Sequence, residues 1–457
     1  MVVRRRATLE SMFDVEAVRA QFPITAQRFK VAGAAEPLPV VYLDHAASTH
    51  PPRVVLDTLR DFLEHSYANV HRGRHFLSQI ASEHFEHVSD VVRGFIGGSK
   101  DGNTVVLCGN TTQALDLAAH VMGAVPGPTL VTLLEHHSND LPHRRRGRVV
   151  HVGVTADGRL DHDDLVAKLE RERPKLVAVT GASNVTGYRP ALHEVARLAH
   201  AHGALVLVDA AQLLAHAPLD VLPNDDPGHL DFVAAAGHKA YAPFGSAFLF
   251  GPTERLDAAE PYLPGGGTVW YVTEDDVFFK KSPERHEGGT PNIAGAVAMS
   301  AALGYLRSIG MDAVREHEVA LTSRAMAGLR AIGGVTILGA AEPTARIGVV
   351  AFTIEGVRHD EAATILNQEA AVAVRNGCFC AQPYLYRLLG LEDTTALRER
   401  LRAGDESNLP GAVRPSFGLF NTEAEVDRLL EIVRDIRAGR FAGKYADTPA
   451  GSACQEL

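Results

Sequence analysis

The chain has 457 residues, is 46% hydrophobic and carries a net charge of −10 with 22% charged residues. Such a chain can bury a large core and is expected to form one large and one smaller domain, and its negative balance excludes a nucleic-acid footprint or a basic membrane surface. No stretch approaches the roughly 20 uninterrupted apolar residues of a membrane span. No apolar core follows the N-terminal arginines as it would in a signal peptide, so the cytoplasm is the expected compartment. Four cysteines, Cys108, Cys378, Cys380 and Cys454, are too scattered for a disulfide framework. The many histidines lack the companion ligands of a metal centre, and no metal is expected.

In chain order, a helical segment, SMFDVEAVRAQF, leads through a loop to LPVVYLDHAAST, where Tyr42, Leu43 and Asp44 read as a strand ending in a tight turn. From Ser78 the apolar positions Ile80, Phe85, Val88, Val91, Val92 and Phe95 recur at helical spacing, which predicts an amphipathic helix capped near Ser78. His71 and Arg72 stand just before it. TVVLCGNTTQALDLAAHVMG is a strand, a small-residue turn and a helix. Backbone N–H groups at such a helix start, with the Thr111 and Thr112 hydroxyls, suit a phosphate, though a Thr pair also serves as an ordinary cap. Cys108 falls inside the strand and reads as a core residue. TLVTLLEHHSNDLP is another buried strand, ending in Glu135, His136 and His137. Strand side chains alternate, so only one of the two histidines can face a ligand.

KLVAVTGASNVTG places Asn184 just past a further strand end. LVLVDAAQ (Leu205 to Gln212) and DFVAAAGHKAYAPFGSAFLF (Asp231 to Phe250) then bring Asp209, Gln212, His238 and Lys239 to neighbouring strand ends, which is where open α/β sheets bind ligands. A lysine able to form a Schiff base, near a carboxylate for a pyridinium nitrogen, is what pyridoxal phosphate needs. Alternating strands and helices from residue 104 to 250 predict one mostly parallel, helix-covered sheet.

Beyond Pro252, PYLPGGGTVWYV holds three consecutive glycines and the only tryptophan, Trp270, fitting a hairpin or a subunit contact. RHEGGTPNIAGAVAMSAALGYL puts Thr290 after two glycines and before a small-residue helix. From Gly310 onward a long helix, short strands and a closing helix predict a smaller α+β domain. Within it, VRNGCFCAQP sets Cys378 and Cys380 on a loop, where a thiol can reach substrate. Further on, Arg414 is a candidate for bidentate recognition of a carboxylate. The tail from Gly439 is expected to be frayed. The expected division is 1–40 joining the small domain, 41–309 large domain, 310–438 small domain and 439–457 tail.

The motifs YLDHAAST, NVHRGRHFLS, NTTQALDLA, EHHSN, SNVTG, VDAAQ, GHK, EGGTPN, RNGCFCA and FNTEAEVDRL, in that order and over nearly the whole chain, resemble the class V, fold-type I pyridoxal-phosphate enzymes. Within these the chain is similar to the cysteine desulfurase and selenocysteine lyase group of the SufS-like type. The resemblance implies a fold-type I α/β large domain with a seven-stranded type of sheet, and a smaller α+β C-terminal domain. It implies a catalytic set of Lys239 (Schiff-base lysine), Cys380 (sulfur acceptor) and His136 (stacked on the ring). Asp209 would partner the pyridine nitrogen, Gln212 the phenolic oxygen, and Thr111, Thr112 and His238 the phosphate. Asn184 would lie near substrate and cofactor, Arg414 would hold the substrate carboxylate, and His71 and Arg72 would line the site. Thr290 would reach it from the second subunit of an obligate homodimer. The implied reaction takes sulfur from L-cysteine, or selenium from L-selenocysteine, leaving L-alanine and a persulfide on Cys380 that a protein or small-thiol acceptor relieves.

Three departures from the family pattern stand out: Ala236 in place of a hydroxyl residue, Asn110 in place of a glycine, and a long insert between Cys380 and Arg414 with an expected helix at Thr395 to Arg402. Cys378 is a further unusual feature, able to relay sulfur, protect Cys380 or simply pack. Two other functions stay open from sequence. One is a different class V reaction, such as carbon–sulfur lysis of a cysteine conjugate, epimerisation or transamination; the other is a catalytically silent scaffold.

Overall fold

The computed structural model describes residues 13–391, 393–448 and 451–454. The arginine run at Arg4 to Arg6 lies outside them. Seven strands build the central sheet: β1 (Asn103–Cys108), β2 (Thr129–Thr132), β3 (Val149–Val152), β4 (Leu176–Thr180), β5 (Leu205–Asp209), β6 (Phe232–Ala236) and β7 (Ala247–Pro252). Their spatial order is β1-β7-β6-β5-β4-β2-β3. Only β7 runs against its neighbours, β1 and β6; the remaining pairings are parallel. β4 and β6 are buried at every position, as continuous apolar runs must be when helices cover both faces.

Helix α1 (Phe76–Phe95) begins two residues before the expected cap, because the His75 imidazole Nδ1 accepts from the Ser78 N–H at 3.2 Å and ends the turn earlier. Helix α2 (Thr111–Val121) lays Ala114, Leu115, Ala118 and Val121 on one face of the sheet. Helices α3 (Ile293–Ile309) and α1 pack together on the other. Trp270 lies in a two-stranded hairpin, β8 (Val269–Val272) and β9 (Val277–Phe279), which projects an exposed apolar face.

The smaller domain begins with α4 (Met311–Arg330) and has a four-stranded antiparallel sheet of β10 (Val335–Ile337), β11 (Phe352–Ile354), β12 (Arg375–Gly377) and β13 (Ala412–Arg414), ordered β10-β11-β13-β12. Helices α5 (His359–Ala370) and α7 (Glu423–Arg437) cover it with α4. A short parallel pairing of Val41–Tyr42 with Val372–Ala373 stitches the start of the large domain to this unit. The insert between β12 and β13 contains helix α6 over Thr395–Arg402, as expected. The tail departs from the expected fraying: Tyr445–Thr448 and Gly451–Cys454 pair as an antiparallel hairpin, and Tyr445 donates its hydroxyl to Glu369 of α5. Among the described residues no single helix is long and apolar enough to cross a membrane.

Candidate active site

The carboxyl ends of the parallel strands converge on a cavity of about 200 Å³ lined by Asn110, Thr111, Thr112, His136, Ser138, Thr180, Ala182, Asn184, Asp209, Ala211, Gln212, His238 and Lys239. β1 delivers the start of α2, where Asn110 accepts from the Gln113 N–H at 2.9 Å. The asparagine that departs from the family pattern is therefore a sound helix cap. Behind it the positive end of α2 faces the cavity, as an anion site requires. Thr111 Oγ1 is buried and has no partner among the described residues, while Thr112 shares a hydrogen bond with Ser138 at 2.7 Å.

Lys239 follows β6 in a single 3₁₀ turn, Gly237–Lys239. That turn is pinned from the N-terminal loop, since Thr49 N–H donates to His238 O at 2.9 Å and the Tyr241 N–H donates to Thr49 Oγ1 at 2.6 Å. Burial lowers the Lys239 ammonium below the ordinary lysine range, against the opposing charge of Asp209; desolvation of this kind favours the nucleophilic free amine. Asp209, at the end of β5, is buried and accepts from the Ala211 N–H at 3.0 Å. Burial raises its carboxyl, with that bond and Lys239 opposing. Gln212 donates to Ala46 O at 2.7 Å and leaves its Oε1 unpartnered.

His136 caps the next turn, its Nδ1 accepting from the Ser138 N–H at 3.1 Å. Burial first, then the charge of Lys239, brings its pKa down to about 3, so the ring is neutral. His137 lines neither this cavity nor the one beside it; the strand stops at Thr132, short of the expected His136 and His137, and His137 instead opens the 3₁₀ turn His137–Asn139 that His136 caps. Glu135, whose side chain sequence reasoning left without a role, is buried beneath the cavity. It accepts from Asn139 Nδ2 at 2.7 Å and the Thr180 N–H at 2.8 Å, tying the ends of β2 and β4 together, and burial pushes its carboxyl up to about 8.

A second cavity of about 550 Å³ shares His136, Asn184 and Lys239 with the first and is lined also by Ala46, Arg375, Cys378, Phe379, Cys380 and Arg414. Arg414, 3% exposed, donates from Nη1 to Asn184 O at 2.8 Å, and its Nη2 lies 3.4 Å from Asp44 Oδ1. Its guanidinium sits 4.7 Å over the Phe379 ring, and its buried Nε has no partner among the described residues. The cysteine loop is held from the large domain: Asn184 donates to Phe379 O at 2.6 Å and the His137 N–H to Cys380 O at 2.8 Å. Cys380 is exposed to this cavity and Cys378 is half-buried. Leu409 and Pro410, at the return end of the insert, complete the rim. His359 fixes them by bonding Leu409 O at 3.0 Å while its other ring nitrogen meets Asn376 at 3.1 Å.

Sequence reasoning missed Asp44, Arg375 and the Leu409–Pro410 rim. Asp44 and Arg375 stood inside motifs already singled out, and only the crossing of the two domains makes them neighbours. Asp44 lies 3.4 Å from both Arg375 and Arg414. Thr290, His71 and Arg72 are not brought to Lys239 within the chain. They gather instead around a separate, exposed cavity of about 240 Å³.

The Aminotransferase class-V profile matches residues 41–429. The chain belongs to the class-V aminotransferase family. It is 37% identical to a curated cysteine desulfurase of Dickeya dadantii, over 92% of this chain and 95% of that one. A cysteine desulfurase of Haloferax volcanii is 35% identical over 92% and 96%. Among solved structures, the apo cysteine desulfurase of Thermococcus onnurineus NA1 is 31% identical with a TM-score of 0.80, covering 93% of this chain and 98% of its own. The family is pyridoxal-phosphate dependent, and the donors present fit that group. An anion-ready helix start, the unpartnered Thr111 hydroxyl, the unpartnered Gln212 oxygen, a buried carboxylate and a desolvated lysine surround one cavity.

Proposed function

We propose that the chain is a pyridoxal-phosphate-dependent cysteine desulfurase acting on L-cysteine, with L-selenocysteine as the alternative substrate, in the cytoplasm and as a homodimer. The observation that carries it is the joining of the two cavities: Lys239 borders both, with the Asp209 pocket on one side and Arg414 and Cys380 on the other. Thr111, Thr112 and His238 would hold the cofactor phosphate, Asp209 its ring nitrogen, Gln212 its phenolic oxygen, and His136 its ring face. When bound, the cofactor supplies an aldehyde that condenses with amines and a ring that accepts electron density from the substrate α carbon.

The protein's own part then follows. Arg414 holds the substrate carboxylate with Asn184 beside it, so that the thiol side chain points toward the cysteine loop. The Lys239 amine takes the α proton as general base. Asp209, buried at the end of β5, would partner the ring nitrogen of the bound group and keep a proton on it. The Cys380 thiolate attacks the substrate sulfur; the new S–S bond forms as the C–S bond breaks, its electron pair stays with the substrate β carbon, which takes up a proton, and the products are alanine and a Cys380 persulfide.

Thr290, His71 and Arg72 support the homodimer by their place away from Lys239, beside a hairpin on which Trp270, Tyr271 and Phe278 are exposed; a cluster of exposed apolar side chains is the mark of an interface. A sulfur-acceptor protein or small thiol would take the product sulfur. The test is release of alanine and sulfide from L-cysteine by the purified holoprotein with a thiol reductant, beside Cys380→Ala. Alanine formed by the wild type and lost in the variant supports the reading. Full turnover in Cys380→Ala refutes it and points to another class V reaction.

A further inference from the structure

We propose that Cys378 is the resolving thiol of this loop, displacing the sulfur from the Cys380 persulfide as free sulfide and closing a Cys378–Cys380 disulfide. This deepens, and rests on, the desulfurase reading. The two cysteines line one cavity, and they sit on one tight turn. The Ala381 N–H bonds Cys378 O at 3.1 Å, and the two central residues, Phe379 and Cys380, have φ of 56° and 54°. Gly377, just before them, has φ of 106°. Two successive non-glycine residues in the left-handed region are uncommon and persist only where the surroundings enforce them. Here two bonds from the large domain enforce them: Asn184 holds Phe379 O and the His137 N–H holds Cys380 O.

The turn has a chemical consequence. A left-handed turn coils the chain as tightly as a helix does, which sets residues two apart at about 5.4 Å between Cα atoms, inside the roughly 4.4–6.8 Å that disulfides span. In an extended loop the two residues would share a face but stand about 6.4–6.8 Å apart between Cα atoms, at the upper limit of that span. Cys378 is also the less exposed of the two, so Cys380 is the better placed to meet substrate and Cys378 to act second.

The step balances without an external oxidant. The Cys378 thiolate attacks the inner sulfur of the persulfide, the Sγ of Cys380; the Sγ–Sγ bond forms, the bond to the terminal sulfur breaks, and hydrosulfide leaves with the electron pair and takes up a proton. The terminal sulfur is reduced, the Cys378 sulfur is oxidised by the same amount, and the Cys380 sulfur is unchanged. Attack at the inner sulfur expels hydrosulfide, a weaker base than an alkyl thiolate and so the better leaving group. Attack at the terminal sulfur would merely move the persulfide to Cys378. A dithiol reductant then reopens the disulfide for the next turnover, so wherever no acceptor takes the outer sulfur first, it leaves as sulfide.

The experiment follows sulfur per alanine formed. Holoenzyme is given L-cysteine without thiol reductant, quenched in acid, alkylated and mapped by mass over the Cys378–Cys380 peptide, with alanine and sulfide measured alongside. The expected wild-type result is about one alanine and one sulfide per site, a loop peptide two hydrogens lighter and closed to alkylation, and resumed turnover on adding a dithiol. In Cys378→Ser, the sulfur of each alanine formed stays on Cys380 as a peptide one sulfur heavier. Wild-type enzyme that makes alanine but keeps an extra sulfur on Cys380 beside an alkylated Cys378, or carries that sulfur on Cys378, overturns the proposal alone. No alanine from the wild type overturns the desulfurase reading and this proposal with it.

Discussion

Replacing Arg414 by lysine keeps a cation in the wider cavity and removes the planar fork. Arg414 has one arm on Asn184 O at 2.8 Å and another near Asp44, and its ring-like face lies on Phe379. Burial brings its pKa down to about 10, with Asp44 opposing, so it is charged at neutral pH. An ammonium cannot bond Asn184 O, keep the stacking and present two parallel donors to a carboxylate. Losing one charge-assisted hydrogen bond costs about 1.5–3 kcal/mol, and the lost stacking adds about 0.5–1 kcal/mol. A total near 3 kcal/mol is a fall of about two decades in kcat/KM for L-cysteine. The assay is alanine formation across a range of cysteine concentrations, with cofactor content read from the visible absorbance of the same samples. Arg414 does not line the narrow cavity, so cofactor content is expected to hold. A loss of less than tenfold, or a loss of cofactor in step with activity, would refute the assignment.

If Thr290 reaches the phosphate of the opposite subunit, Thr290→Ala weakens cofactor affinity by about ten- to a hundredfold, the worth of one charge-assisted hydrogen bond. Co-expression with Lys239→Ala then restores one sound site per mixed dimer and up to about half of wild-type activity; mixed dimers without activity would count against a shared site. A third expectation concerns acid. Burial lowers His143 to about 4, with Asp140 opposing, and the side chain is 3% exposed. Because the unfolded chain takes a proton near 6.5 that the folded chain refuses, this residue costs stability as pH falls, by up to about 1.4 kcal/mol per pH unit. His143→Leu removes that cost, so in urea denaturation its stability relative to wild type is expected to rise by about 1.6 kcal/mol between pH 6.5 and pH 5. A constant difference across that range would show that His143 does not titrate as its burial requires.

The sequence by itself determined the strand and helix alternation, because continuous apolar runs such as LVLVD and FVAAA can be stable only between two covering layers, and it determined that Asp209, His238 and Lys239 share the carboxyl edge of that sheet. The order of ten motifs carried the family. The start of α1 was legible only approximately, since histidine capping leaves no strong sequence signal, and the tail hairpin was hidden by its Gly- and Ala-rich composition. What tertiary structure alone decided is how the two domains cross. Asp44 meets Arg375 and Arg414 across long separations in the chain, Asn184 and His137 of the large domain seize the Cys378–Cys380 turn of the small one, and Leu409 and Pro410 return from the insert to the rim. Local propensity has no term for such meetings. They arise where two packed bodies bury their facing surfaces, and most polar groups caught between them find their partners in the other body.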